Sequence, residues 1–246
     1  MTRPDSLAHA VVLIDGFDPR AVLPATGPHP AFRDADGVPA ADALFRHLAG
    51  QGITDVWLVS RALPGMVVHY FGDGSRWGVS ATHVRQDGSP GSGGALSAVR
   101  RQITESTLVI DGALVTDLEL GAMFEAHRSA DADLTMCLTD DVQETAGLPR
   151  ALTDSSSPLV QQVLTDPPFP ANPEILVGVG VYIVEPEAVE PLQTAGVNAD
   201  WVTDVLPDLA RQSRVRGWQA NPGARFDLPR RVRVMHSQTG RALPTT

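Results

Sequence analysis

Two rhythms of apolar positions alternate along the chain. Short unbroken apolar runs predict buried parallel strands, and stretches with apolar residues every third or fourth position predict amphipathic helices. The first run, Ala10-Val11-Val12-Leu13-Ile14, ends at Asp15-Gly16 and is followed by a Pro-, Gly- and Asp-rich loop to about Val38. A helix begins at Pro39, carries Ala43, Leu44 and Leu48 on one face, and stops near Gly50 and Gly52. Val56–Val59 predicts a second strand, Met66–Phe71 a short helix and Val79–Val84 a third strand. A helix from about Gly94 to Gln102 and a fourth strand, Thr107–Ile110, follow. Asp117 is placed as the N-cap of a helix through Leu118, Met123, Phe124 and His127, and Leu134–Leu138 is a fifth strand.

The rhythm changes after about Asp140. Residues 141–172 are rich in Ser, Pro and Asp and predict loops with a hairpin. Ile175–Val184 reads as a long strand interrupted by Gly178 and Gly180, Asp200–Gln212 as a helix and Val215–Trp218 as a last strand. Regular strand–helix alternation predicts a three-layer α/β/α fold around a mostly parallel sheet with right-handed crossovers. No internal repeat or linker divides the chain. One domain is expected over residues 1–236, with a disordered tail over 237–246.

Composition narrows the partners. The formal net charge is −10, which argues against a nucleic acid polymer, because such binding rests on basic patches that neutralise phosphates. A mononucleotide needs only a local pocket and stays open. The single cysteine, Cys137, lies in the apolar run Leu134, Met136, Leu138 and reads as a buried strand residue; one thiol excludes an intrachain disulfide or a cysteine-based zinc site. No stretch reaches the ~18 apolar residues of a membrane span, and the N-terminus lacks a basic-then-apolar leader pattern, so a cytoplasmic location is expected. All 19 basic residues are arginine, as in proteins from GC-rich bacterial genomes.

The segment Tyr70-Phe71-Gly72-Asp73-Gly74-Ser75-Arg76-Trp77-Gly78-Val79 carries three aromatics beside three glycines and resembles a structural signature of the sugar-1-phosphate nucleotidyltransferases. Four other strings resemble family landmarks. They are Gly91-Ser92-Gly93-Gly94-Ala95-Leu96, Thr116-Asp117-Leu118-Glu119-Leu120, Gly180-Val181-Tyr182-Ile183-Val184-Glu185-Pro186-Glu187 and Thr203-Asp204-Val205-Leu206-Pro207. The resemblance spans residues 9 to about 228 and implies the Rossmann-like nucleotide-diphospho-sugar transferase fold. It also implies an activity: a sugar-1-phosphate attacks the α-phosphorus of a nucleoside triphosphate, forming a nucleotide sugar and releasing pyrophosphate. Such chemistry asks a protein to position two anions and to cancel their charge with Mg²⁺, basic side chains and backbone amides.

The residues for that task are mostly replaced. The family's Gly-rich phosphate loop is matched by Asp15-Gly16-Phe17-Asp18-Pro19-Arg20; Gly16 and Arg20 are kept, Asp15 and Asp18 stand for glycines, and Pro19 has no amide to donate. Two carboxylates facing a triphosphate would repel it. The two family lysines of this region are matched by His29 and Val38, and the cation of the sugar-phosphate side by Asp166 in Thr165-Asp166-Pro167. The Asn-Ala-Gly before the later strand is matched by Gly178-Val179-Gly180. The metal-binding Asn-Gly-Asp at the end of the fourth strand is matched by Asp111-Gly112-Ala113, so the carboxylate position holds alanine, and the second metal aspartate falls on Ala220, with Asp227 out of register.

The resemblance therefore implies nucleotide contacts at Gly16, Arg20, Gly91, Gly93 and Gly94. Asp111 remains as the carboxylate for a relocated Mg²⁺, roughly 6–7 Å from the usual place because residues two apart in a strand share a face. Asp111 and Arg20 are then the candidate catalytic pair. Two expectations stand side by side. One is a catalytically silent member that binds a nucleotide, nucleotide sugar or sugar phosphate and serves an active paralogue or another enzyme. The other is a divergent active transferase that uses Asp111, Asp15 or Asp18 for the metal and Arg20 for phosphate. Asp131-Ala132-Asp133, an Asp-x-Asp of the metal-dependent glycosyltransferase type, precedes a strand and lies at the wrong end for a ligand.

Overall fold

The structure is a computed structural model that describes residues 6–16, 29–61, 64–86, 91–140, 148–154, 157–165, 169, 172–193 and 199–227. The chain opens with β1 (His9–Leu13) and a small ladder of β2 (Asp34–Ala35) with β3 (Val38–Pro39). It continues through α1 (Ala40–Gly50), β4 (Asp55–Ser60), α2 (Pro64–Phe71), β5 (Ser80–Arg85), α3 (Ser92–Val99) and β6 (Thr107–Asp111). Next come β7 (Val115–Thr116), α4 (Leu120–Ser129), β8 (Leu134–Thr139) and the hairpin β9 (Arg150–Asp154) with β10 (Ser157–Leu164). The long β11 (Ile175–Val184), α5 (Pro186–Val189) and a π-helical turn over Trp201–Val205 lead into α6 (Leu206–Arg211), β12 (Val215–Gln219) and β13 (Phe226–Asp227).

Nine strands form one sheet in the order β5-β4-β1-β6-β11-β8-β12-β10-β9. The β1–β4, β4–β5, β1–β6 and β8–β12 pairs are parallel, whereas β11 runs against both β6 and β8. The α/β fold expected from the sequence is therefore present on a mixed sheet: β5, β4, β1 and β6 form its parallel part, and β10 runs against both β12 and β9. The sequence did not show how its far end closes. The first residues of β11, Ile175–Val177, pair with β9, and the last, Val181–Val184, pair with β6. The change of partner falls at the two glycines: the register against β8 shifts between Gly178 and Tyr182, and Gly180 has φ +76°. A bulge of this kind bends a strand sharply enough to serve two neighbours. It closes β11, β8, β12, β10 and β9 into a small barrel-like end.

Alternation along the strands sorts the core onto two faces. Val12, Ile14, Leu108 and Ile110 pack toward α1, α2 and α4, and Val11, Leu13, Val109 and Tyr182 pack toward α3, α5 and α6. The Tyr70–Val79 segment belongs to the first face. Phe71 and Trp77 lie against Phe45 of α1 with ring centroids 4.8 and 5.0 Å away, and Arg76 lies over the rings of Tyr70 and Trp77. Gly74 has φ +80°, and a Cβ there would sit 2.9 Å from Val79 O, so this signature is a packing device.

Two expectations need correction. The helix placed at Asp117 starts three residues later, at Leu120 with Glu119 as its N-cap; Asp117 Oδ1 instead accepts the Arg225 N–H at 2.7 Å, tying the C-terminal segment to the loop before α4. The helix placed from Gly94 begins at Ser92 and ends at Val99. Cys137 is fully buried, as expected. At the sheet edge where β6 and β8 begin, His127 Nδ1 meets Thr135 Oγ1 at 2.8 Å and His127 Nε2 meets Glu185 Oε1 at 2.9 Å. Ser106 Oγ donates to the same carboxylate oxygen at 2.5 Å. Asp133 of the Asp-x-Asp pairs with Arg214 at 2.6 Å just before β8, the end opposite the loops after β1 and β6.

Candidate functional site

In an open α/β sheet a ligand site lies beyond the carboxyl ends of the parallel strands. Here that edge is built from the turns after β1, β4, β5 and β6. The turn after β1 is tight: Gly16 N–H donates to Leu13 O, and Gly16 has φ +71°. Next to it, Gly112 N–H donates to Leu13 O at 2.9 Å, and a Cβ on Gly112 would stand 3.0 Å from Ile14 Cα. The glycine after Asp111 thus lets the ends of β1 and β6 meet.

Asp15 is held through one oxygen and faces a buried imidazole with the other. Its Oδ2 accepts the Arg61 N–H at 2.7 Å, and its Oδ1 faces His29 Nε2 at 3.6 Å. The His29 side chain is 2% exposed, and its Nδ1 accepts the Ala31 N–H at 3.2 Å. An acceptor nitrogen carries no proton, so a neutral His29 holds its proton on Nε2, directed at Asp15. The histidine and aspartate that stand where the resemblance places a lysine and a glycine therefore face one another.

Asp111 is buried on the face shared by Leu13, Val109 and Tyr182. Its Oδ1 accepts the Ala113 N–H at 2.9 Å, closing a local turn. Burial, and then the charges of Asp200 and Asp111, push the Tyr182 phenol well above the ordinary tyrosine range. Ala113 is fully buried and offers no oxygen. Among the described residues no group of three or more His, Cys, Asp or Glu side chains could hold a metal ion. Mg²⁺ asks for near-octahedral oxygen coordination; one aspartate with an oxygen already committed does not fit it.

The glycines after β5 have been turned to packing. Gly91 has φ +103°, a conformation open to glycine. A Cβ on Gly93 would land on the carbonyl oxygen of Ala199, so the backbone of residues 199–200 fills the space that this glycine leaves. Asp200 completes the contact. Its Oδ2 accepts from Ser92 Oγ at 2.8 Å and from Ser92 N–H at 3.3 Å, while its Oδ1 caps the turn that follows through Val202 and Thr203 N–H. Gly94 is half-buried in the first turn of α3, and Gln86 Nε2 donates to Gly91 O at 2.9 Å. The structure thus gathers Gly16, Asp111, Gly91, Gly93 and Gly94 at the strand ends, and adds Asp15, His29 and Asp200. Arg20 and Asp18 lie outside the described residues. Asp200 had no signal in the sequence beyond its place before a helix, 108 residues from its partner Ser92.

The family model described as nucleotidyl transferase matches residues 22–223, a span that begins just past the loop ending at Arg20. Among curated proteins, the chain is 29% identical over 189 residues to the mannose-1-phosphate guanylyltransferase of Mycobacterium tuberculosis, covering 74% of this chain and 50% of the relative. It is 30% identical over 130 residues to the D-glycero-α-D-manno-heptose 1-phosphate guanylyltransferase of Aneurinibacillus thermoaerophilus, covering 52% of this chain and 56% of the relative. The chain thus spans about half the length of the curated relatives it matches. Among solved structures, a Bacillus anthracis protein described as a glucose-1-phosphate thymidylyltransferase superposes with a TM-score of 0.73 at 16% identity, over 89% of this chain and 88% of that one. HddC from Yersinia pseudotuberculosis complexed with GMP-PN superposes with a TM-score of 0.71 at 16% identity, over 90% and 93%. At such identities the superpositions show a shared fold. Among the described residues no helix is long and apolar enough to cross a membrane.

Proposed function

The chain belongs to the nucleotidyl transferase family, and from that premise we propose that it is a catalytically impaired member. On this reading it keeps a site for a nucleotide, nucleotide sugar or sugar phosphate and acts by binding, as a regulatory partner of an active paralogue or another enzyme. The observation that carries the reading is Ala113, fully buried at the turn after β6, where the resemblance places the family's metal-binding carboxylate. Transfer breaks the bond between the α-phosphorus and the bridging oxygen of the pyrophosphate while a sugar-phosphate oxygen bonds to the same phosphorus. Both partners are anions, so the barrier stays high unless their charge is cancelled. At the ends of β1 and β6 Asp15 and Asp111 add negative charge, and the buried His29 Nε2 faces Asp15 at 3.6 Å. No step of a transfer is therefore assigned to these residues.

Both curated relatives are guanylyltransferases, which makes guanine nucleotides and mannose- or heptose-type sugar phosphates the first ligands to try. The test is pyrophosphate release by purified protein with Mg²⁺, the four nucleoside triphosphates and a panel of sugar-1-phosphates, beside Asp111→Asn. No release above the protein-free blank is expected, together with a raised melting temperature in the presence of a bound nucleotide or nucleotide sugar. Turnover that collapses in Asp111→Asn would overturn the reading in favour of an active transferase with a relocated metal site.

A further inference from the structure

We infer that Asp15 is a specificity-determining residue: a tethered anion that occupies the anion-binding corner of this edge and bars a polyphosphate from it. The inference rests on the functional reading above, which makes the strand-end edge a ligand site. One hydrogen-bond donor holds the Asp15 carboxylate, and a buried imidazole nitrogen with no hydrogen bond of its own faces it at longer range. The donor is the Arg61 backbone N–H at 2.7 Å; the nitrogen is Nε2 of His29 at 3.6 Å, on a side chain 2% exposed. The Ala31 N–H on Nδ1 fixes which nitrogen of His29 carries the proton, so the N–H that faces Asp15 is set by the backbone.

Backbone amides and a buried imidazole N–H form a pair that any oxyanion can use, whether carboxylate or phosphate. Asp15 itself is half-buried, with 17% of its side chain exposed. A phosphate that took the two donors would have to displace the carboxylate, and one approaching without displacing it would meet a full negative charge. The edge therefore favours ligands whose charge lies elsewhere, such as a nucleoside or a sugar carrying a single phosphate, over a nucleoside triphosphate.

The arrangement also relates the two replaced positions. A histidine in a buried position is costly unless its ring nitrogens find partners. Nδ1 has the Ala31 N–H, and Nε2, which makes no hydrogen bond, faces the Asp15 carboxylate at 3.6 Å, so the charge of one residue lies beside the buried ring nitrogen of the other.

The experiment compares the wild-type chain, Asp15→Ala and Asp15→Ala/His29→Phe for binding of pyrophosphate, GTP and guanosine by calorimetry, with thermal melts to establish folding. Phenylalanine keeps the edge contact that His29 makes with Phe32, whose ring centroid is 5.9 Å away, but has no donor. Removing a full charge that faces both N–H groups should tighten pyrophosphate and GTP by at least ~10-fold in Asp15→Ala and leave guanosine unchanged. The double variant should lose most of that gain. If Asp15→Ala does not fold, Asp15→Asn carries the test, with a gain of at least ~3-fold expected because the charge is gone but the side chain still fills the corner. No gain in a folded variant, or a gain that survives His29→Phe, overturns the inference while the impaired-enzyme reading stands. Turnover by the wild-type chain in the pyrophosphate-release assay overturns that reading instead, and leaves the comparison of the Asp15 variants intact.

Discussion

Gly93→Ala is the substitution whose effect the structure sets most tightly. The new Cβ would coincide with the Ala199 carbonyl oxygen, with the carbonyl carbon 2.7 Å away and Asp200 C at 3.3 Å. None of these is a side-chain tip that can swing aside, so either α3 or the 199–201 segment must move. Overpacking of this kind costs about 1–3 kcal/mol, and more where the backbone is hit. Movement also breaks the Ser92–Asp200 contacts, and hydrogen bonds to a charged group contribute about 1.5–3 kcal/mol. The expected loss is about 3–5 kcal/mol, which for a chain of this size lowers the melting temperature by roughly 10 °C. Thermal and urea unfolding followed by circular dichroism measures it. Gly121→Ala is the control: nothing lies within 4 Å of a Cβ there, and a helical Gly-to-Ala change stabilises by about 0.5–1 kcal/mol. If Gly93→Ala melts within about 1 kcal/mol of wild type, the packing argument fails. A fully stable Gly93→Ala that had lost nucleotide affinity would mean that the glycine serves a ligand.

Three other outcomes follow from buried groups. Burial first, and then its hydrogen bond to Asp42, push the Tyr70 phenol up to about 12 from an ordinary value of 10.0. A raised folded-state value favours the protonated form, so the stability it gives is complete below pH 10 and is lost as pH rises through about 12. Tyr182, the other tyrosine, is raised further, so a phenolate absorbance titration at pH 10 should show little ionisation; a half-titrated signal there would refute both assignments. Burial likewise pushes the Cys137 thiol up, so a thiol reagent should label the one cysteine only as the protein unfolds, and rapid labelling of the native chain would contradict its placement. Replacing His127 with Ala leaves the Glu185 carboxylate in a buried site without its imidazole, which should cost about 3–5 kcal/mol in urea unfolding; a loss under about 1 kcal/mol would show the network to be dispensable.

Much of the fold could be read from the sequence because its signals are local. Apolar runs such as Val56–Val59 and Leu134–Leu138 fall inside β4 and β8, and the glycines after Leu48 end α1. The departures come from contacts made at long range. Asp117 has the chemistry of an N-cap, but the backbone of Arg225, 108 residues on, competes for its carboxylate and wins. The two partners of β11 were hidden for a similar reason: an apolar run says that a strand is buried, and says nothing of which neighbours bury it. Gly178 and Gly180 marked the place, and only the pairing shows that the break lets one strand serve both β9 and β6.

The site was legible in a different way, through residues that fail to suit the chemistry their neighbours imply. Taken singly, Asp15 for glycine and His29 for lysine are two losses. In space they are one arrangement, because Asp15 supplies the acceptor that His29 Nε2 faces and the Arg61 amide needs. Asp200 repeats the pattern at α3, where a carboxylate of the chain meets the first-turn N–H and hydroxyl of Ser92. At both places a backbone N–H that could have served a bound anion is satisfied by a side chain. Donors paired internally, with glycines such as Gly93 kept for packing, describe an edge stabilised in its ligand-free form. That arrangement supports the proposed reading, in which the chain acts by binding.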